Sequence, residues 1–234
     1  MIKQLLAGLT LTSLLIAGDL TQAYNAFQNK EYAKALSLYT VEAKKGDAKA
    51  QSAVSYFYFN GLGTSKDIDQ GLSWLTKAAE NDNVTAQFDL GMMYLSGAPV
   101  GQDFTKALPW LERAATANHT EAQYNTALMY YQGDGTDSNV TKAAQYLESA
   151  AQSGHPKAQA SVGRVYMQLV KFDEAIPWLE KNARSGDSEA AYLLAEVYCS
   201  KEEFGKAKGW TQLAIDDGYV AAKELWNKYK LEKY

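Results

Sequence analysis

Hydrophobic and small residues recur along the chain at helical spacing, in segments separated by short polar breaks. Residues 86–96 place Ala86, Leu90 and Met93 on one face of a predicted helix. Gly97 and Pro99 interrupt this pattern, and residues 104–115 resume it. The second stripe consists of Phe104, Ala107, Leu111, Ala114 and Ala115. The pattern therefore predicts two antiparallel helices joined by a short linker.

The same two-helix pattern repeats at fixed intervals. An Ala-Gln pair begins at residues 50, 86, 122 and 158, so three successive steps are each 36 residues long. From Ala158, the steps to Ala190 and Ala222 are 32 residues each. A single helix pair cannot bury its apolar face alone, so stacking of neighbouring pairs must supply the core. The spacing therefore predicts an all-α repeat architecture.

Polar residues recur at the ends of the predicted helices. Asp67, Asp103 and Asn139 precede the second helix of their repeats and can accept hydrogen bonds from its free amides. Another recurring position follows each second helix, and it is filled by Gly, Asn or Asp, which tolerate a positive φ angle. This helix-exit position holds Gly46, Asp82, Asn118, Gly154, Gly186 and Gly218.

The repeated residues resemble the Sel-one-like repeat family, a branch of the tetratricopeptide-like (TPR-like) α-solenoids. The resemblance is carried by "AQFDLGMMYLSG", "AQYNTALMYYQGDG", "DFTKALPWLERAA" and "NVTKAAQYLESAA". It implies a right-handed α-solenoid of stacked antiparallel helix pairs, with about 12–13 helices. Residues 50–157 match as three units, whereas residues 158–221 lack the Gly-x-Gly linker and are more similar to two tetratricopeptide units. Residues 18–49 are the predicted N-terminal helix pair, and residues 222–234 are the predicted capping helix.

The first 17 residues differ from the rest of the chain. Lys3 precedes an apolar run from Leu5 to Ala17, which is too short for a membrane span and is typical of a signal peptide. A buried first helix is the alternative. The repeat frame favours cleavage after Ala17, whereas the small-x-small rule favours cleavage after Ala23. The sequence thus predicts an exported protein, periplasmic or secreted, without an integral membrane segment once the signal is removed.

The residues that suggest catalysis or metal binding have structural explanations. His119 and His155 are the only histidines, and both follow a helix exit, 36 residues apart; equivalent positions of neighbouring repeats are too distant to share one zinc ion. The glycine-rich stretches 61–63 and 133–135 lack the lysine and hydroxyl of a phosphate-binding loop. Cys199 is the only cysteine, and a small helical residue is expected there. We therefore predict no catalytic residue, metal or cofactor.

The resemblance also implies a binding groove, because the first helix of each pair lines the concave face in tetratricopeptide-like solenoids. The first three units present an aromatic and apolar strip on this face. The fourth adds Arg164, a candidate partner for a carboxylate or phosphate group. Packing between adjacent repeats is the alternative explanation for all of these residues. The predicted groove consists of Tyr56, Phe59, Asn60, Phe88, Met92, Leu95, Tyr124, Leu128, Tyr131, Gln132, Arg164, Met167 and Gln168.

The net charge of the chain and its distribution bear on whether nucleic acid is a partner. The net charge is −4, and there is no basic stripe of the kind that binds nucleic acid. The sequence favours a non-catalytic interaction module or adaptor of the bacterial periplasm, which binds an unidentified protein or peptide segment in the groove. The alternatives are a cell-envelope enzyme of cell-wall or β-lactam chemistry and a secreted effector that binds a host protein. Family members linked to β-lactams carry regularly spaced cysteine pairs, which this chain lacks.

Overall fold

The computed structural model describes residues 18–234, so the predicted signal peptide at residues 1–17 lies outside the described residues. Residues 18–234 form thirteen α-helices and one short 3-10 helix, and they include no β-strand. Within residues 18–137 and within residues 138–234, each helix packs mainly against its neighbours in sequence. These features confirm the predicted all-α solenoid class and the predicted number of helices.

The chain divides into two compact units between Asp137 and Ser138. The described part of the first unit contains seven helices, of which the odd-numbered ones are the first members of their pairs. Their bounds are α1 Gly18–Gln28, α2 Tyr32–Lys44, α3 Ala48–Asn60, α4 Ile68–Glu80, α5 Val84–Ser96, α6 Phe104–Thr116 and α7 Thr120–Gln132.

The second unit begins with a second-type helix and ends in a short 3-10 turn. Its bounds are α8 Val140–Gln152, α9 Pro156–Gln168, α10 Phe172–Arg184, α11 Ser188–Ser200, α12 Phe204–Asp216, α13 Val220–Tyr229 and the 3-10 helix Leu231–Lys233. Leu231 is buried, and the Tyr234 ring stacks on Phe204 with ring centroids 4.8 Å apart. The C-terminal residues therefore cover the start of α12.

The recurring Ala-Gln pair joins each repeat to the helix before it. The alanines of these pairs are fully buried. Each glutamine donates its Nε2 amide to a carbonyl eight residues earlier, in the last turn of the preceding second helix, at 2.8 to 3.3 Å. Each acceptor carbonyl also accepts a hydrogen bond from the backbone amide three residues ahead. The glutamine is therefore a second donor at a helix end where the regular bond from four residues ahead is missing. The donors are Gln51, Gln87, Gln123 and Gln159, and the acceptors are Ala43, Ala79, Ala115 and Ala151.

The predicted helix ends are confirmed. The side chains of Asp67, Asp103 and Asn139 each accept a hydrogen bond from the backbone amide three residues ahead. All six helix-exit residues have a positive φ angle, between 59° and 99°. Local sequence therefore sets where these three second helices begin and where the chain turns after all six.

The glycine-rich linkers are also packing elements. Gly63 has φ +67° and lies directly against the backbone of Tyr32 and Ala33, at the start of α2. Gly135 has φ +74° and lies in the same way against the backbone of Phe104, at the start of α6. A Cβ atom at either glycine would overlap main-chain atoms. The linkers thus hold their position because they have no side chain at this contact.

The turn between α9 and α10 contains a strained residue. Val170 has φ +58°, and its side chain is 69% exposed. A β-branched residue is disfavoured in the left-handed region by about 1–2 kcal/mol, whereas Asn tolerates it. Val170→Asn is therefore expected to raise the free energy of unfolding by about 1 kcal/mol in urea denaturation.

Val220 provides the matched control for this substitution. It is 78% exposed but does not have a positive φ angle. Val220→Asn should give no such gain. Equal effects of the two substitutions would attribute the result to lost exposed apolar surface rather than to relief of backbone strain.

Candidate interaction surface

Three first helices of the first unit, α3, α5 and α7, carry most of the predicted groove residues. With one exception, these side chains are partly or largely exposed, and Tyr131 reaches 41%. These side chains are therefore not fully buried in the hydrophobic core. We refer to the following nine residues as the first-helix strip: Tyr56, Asn60, Phe88, Met92, Leu95, Tyr124, Leu128, Tyr131 and Gln132.

Phe59 is the exception. Its side chain is only 4% exposed and belongs to the core shared with α4 and α5. A Cβ atom on Gly71 would lie 2.7 Å from the Phe59 ring, so the ring packs directly over this glycine. Phe59 therefore holds α3 against α4, and the prediction that it faces a groove does not agree with its burial.

Ring contacts connect the strip to neighbouring first helices. Tyr56 packs edge-on against Phe27 of α1, with ring centroids 6.3 Å apart. Phe88 stacks on the imidazole of His119, with centroids 4.3 Å apart and an interplanar angle of 22°. Such contacts restrict the rotamers of both aromatic side chains. The strip is thus a partly ordered surface, which lowers the entropy lost on binding.

His119 has a structural role at the edge of the strip. Its Nδ1 accepts a hydrogen bond from the Ala122 backbone amide at 3.2 Å and so caps α7. Burial lowers the pKa of the His119 imidazole, which favours the neutral form that capping requires. His155 caps α9 in the same way through Ala158. The predicted turn position is confirmed, and its specific task is to cap the following first helix.

The polar members of the strip lie at the C-terminal ends of their helices. Asn60 is exposed and donates Nδ2 to the Tyr56 carbonyl at 2.8 Å. Gln132 is exposed at the end of α7. The Nδ2 bond does not use the amide oxygen of Asn60, which can accept a hydrogen bond from a bound segment.

In the second unit, the predicted residues have a different environment. The Arg164 guanidinium on α9 contacts Asp187 at 2.7 Å and Glu189 at 2.9 Å. Burial lowers the pKa of Arg164, but the hydrogen bonds and charges of Asp187 and Glu189 outweigh it and raise the pKa. The charge of Arg164 is thus neutralised internally. Met167 is partly exposed and Gln168 is exposed.

Asp89 is a buried carboxyl group that the sequence pattern did not single out. It is 5% exposed, and its Oδ2 has no hydrogen-bond partner. Burial raises the pKa of Asp89 to about 7. The equivalent residues of the next two repeats, Asn125 and Ser161, each donate to the carbonyl four residues earlier, at 2.7 and 2.8 Å. Only the protonated acid could donate in the same way, so both observations favour a neutral Asp89.

Residues 18–234 contain neither a cluster of metal-ligating side chains nor an activated thiol. No group of three or more His, Cys, Asp or Glu side chains in this part of the chain is arranged to hold a metal ion. Cys199 is buried, and burial raises the pKa of its thiol, which disfavours the reactive thiolate. None of the described helices is both long and apolar enough to cross a membrane.

The fold and the strip define an α-solenoid of the tetratricopeptide-like class. The Sel1 repeat model matches three consecutive segments, residues 48–83, 84–119 and 120–155. Each segment begins with the first residue of α3, α5 or α7. The chain therefore contains three consecutive Sel1 repeats, as the sequence resemblance indicated. The comparison with curated proteins gave no match.

Two solved structures support this assignment. The Sel1 repeat protein from Oxalobacter formigenes is 29% identical, with a TM-score of 0.59 over 88% of this chain and 86% of the other. The second is c5321, a protective antigen of uropathogenic Escherichia coli strains with an SLR fold. It is 27% identical, with a TM-score of 0.60 over 85% of this chain and 44% of c5321.

Proposed function

We propose that this protein is a non-catalytic interaction module that binds a segment of a partner protein along the first-helix strip. The Sel1 repeat fold is a scaffold for protein–protein interaction. The observation that carries the proposal is the partial exposure of aromatic and apolar side chains on three consecutive first helices. Exposed apolar surface of this kind is characteristic of binding sites, and aromatic residues dominate binding energy at protein interfaces.

The arrangement of the strip side chains on neighbouring helices supports the proposed site. Tyr124 and Tyr131 lie seven residues apart on α7, about two helical turns, so both can present their rings to the same bound segment. Met92 and Leu128 on neighbouring first helices add flexible apolar surface. A partner segment that crosses these helices would meet an apolar side chain on each of them.

The double substitution Tyr124→Ala with Tyr131→Ala is expected to weaken partner binding at least about tenfold. In-cell crosslinking followed by affinity capture would identify the partner from wild type, and titration of the purified partner would measure the loss. Thermal denaturation must accompany both measurements. If the double variant loses both partner binding and much of its thermal stability, these tyrosines are core residues instead.

A control separates the strip from exposed apolar surface in general. Val41 on α2 is half exposed on a second helix of the same unit. Val41→Ser should leave the captured partner unchanged. Capture that persists in the double tyrosine variant but is lost in Val41→Ser would move the interface to the second helices.

The proposed location is the bacterial periplasm, with secretion as the alternative. The predicted signal peptide supports export. Osmotic-shock fractionation of cells that produce the full chain should release the protein with the periplasmic contents. Recovery with the cytoplasmic fraction, at the full-length mass, would contradict export.

A further inference from the structure

The first-helix strip contains no Asp, Glu, Lys or Arg residue. From the fourth residue of α3, α5 and α7 onward, the helices comprise residues 51–60, 87–96 and 123–132. Asp89 is the only Asp, Glu, Lys or Arg among these thirty residues, and it is buried. The chain as a whole is 21% charged, and thirteen of these thirty residues are not buried, so about three charged residues would be expected among them.

Burial explains the absence of charge at seventeen of the thirty positions but not at the other thirteen. The nine strip residues belong to these same segments and are partly or largely exposed. The other charged residues of the three helices, Lys49 and Glu121, both occupy the second helical position and so lie at one end of the strip. Solvent-exposed helix faces normally carry charge. The absence of charge is therefore a property of this surface.

The first helices of the second unit do not share this property. Arg164 lies on α9 and is held by Asp187 and Glu189. Glu196 lies on α11 and accepts a hydrogen bond from the Tyr192 hydroxyl at 2.7 Å. Both of these charged groups have partners within the chain. The uncharged surface thus coincides with the first helices of the three Sel1 repeats.

We infer that the strip binds a neutral protein segment, whose contact residues are aliphatic or aromatic and include no Asp, Glu, Lys or Arg. This inference rests on the proposed function. A charged residue buried against the strip would lose its hydration and find no opposite charge, which is costly. The strip also has the composition typical of an interface core, which is depleted in charged residues and rich in Tyr, Phe and Met.

A phage-displayed peptide library, selected on the wild-type protein and counter-selected on the Tyr124→Ala/Tyr131→Ala variant, tests this inference. We expect the enriched peptides to be neutral at their anchor positions. Their dissociation constants should change less than about twofold between about 50 mM and about 500 mM NaCl, because no ion pair contributes.

An isosteric charge placed in the strip provides a second test. Gln132→Glu adds a negative charge at an exposed position, and it should weaken binding of the selected peptides about tenfold. Gln70→Glu makes the same change at an exposed position of α4 and should leave binding unaltered.

The failures of the two proposals are distinguishable. If strip-dependent peptides carry charged anchors and lose affinity in salt, the neutral-segment inference is wrong while the binding site stands. If the counter-selection on the tyrosine variant removes every peptide that binds wild type, the strip is not the binding site and both proposals fail.

Discussion

Replacing Asp89 with asparagine is expected to raise the free energy of unfolding by about 4 kcal/mol at about pH 8, and to change it little at about pH 4. Burial raises the pKa of Asp89 from 3.8 to about 7. The unfolded chain therefore loses this proton near the ordinary value, whereas the folded protein keeps it until about pH 7. Between these two values the folded state binds more protons than the unfolded state, so wild-type stability falls as the pH rises.

Asparagine suits this position for a reason visible in the next repeat. Asn125, which occupies the equivalent place on α7, donates Nδ2 to the Glu121 carbonyl at 2.7 Å. An amide at position 89 could reach the Thr85 carbonyl in the same way and would carry no charge at any pH. The Asp89→Asn variant should therefore lose the part of the pH dependence that Asp89 causes.

Urea denaturation at several pH values between about 4 and about 8 would measure this difference. Glu80→Gln, which removes an exposed carboxyl group from α4, is the control. If wild type and Asp89→Asn showed parallel stability curves over this range, Asp89 would have to titrate in the folded protein as it does in the unfolded chain, and the interpretation as a neutral acid would be wrong.

Replacing Gly63 with alanine is expected to lower the free energy of unfolding by about 3–4 kcal/mol. Two effects add. The residue has φ +67°, which disfavours any side chain with a Cβ atom, and that atom would overlap the backbone of Tyr32 and Ala33. The overlap involves main-chain atoms at the start of α2, which cannot rotate away as a flexible side chain could.

Gly46 isolates the first effect. It has φ +99°, but a Cβ atom there would meet nothing within 4 Å. Gly46→Ala should therefore cost only about 1 kcal/mol. Denaturation of both variants under the same conditions gives the contribution of the close contact as a difference. Equal losses would show that the linker moves away from α2 without penalty.

The sequence was sufficient to predict the repeat, the helix pairs and the residues at their ends. These features depend on local properties, namely apolar spacing, capping side chains and residues that tolerate a positive φ angle. The repeat multiplies each signal, because Asp67 and Asp103 mark the same boundary one period apart. A chain without internal copies would have offered each of these signals only once.

The environment of individual side chains was less predictable. Arg164 is neutralised by Asp187 and Glu189, which lie 23 and 25 residues further along the chain. Phe59 is buried because α4 presents Gly71 beneath its ring. Both outcomes depend on which residues meet across a helix interface. Helical spacing indicates the face on which a residue lies, but it does not reveal the partner that the face meets.

The hydrogen bond from each Ala-Gln pair to the preceding helix allows any repeat to follow any other with the same contact. Since Gln51, Gln87 and Gln123 each use the same atoms to reach the same position of the helix before them, a block of one period carries its own donor and offers the acceptor that the next block needs. After duplication or loss of such a block, every glutamine still finds its carbonyl acceptor in the preceding helix. The length of the recognition surface can therefore change by gene duplication without any redesign of the joints between modules.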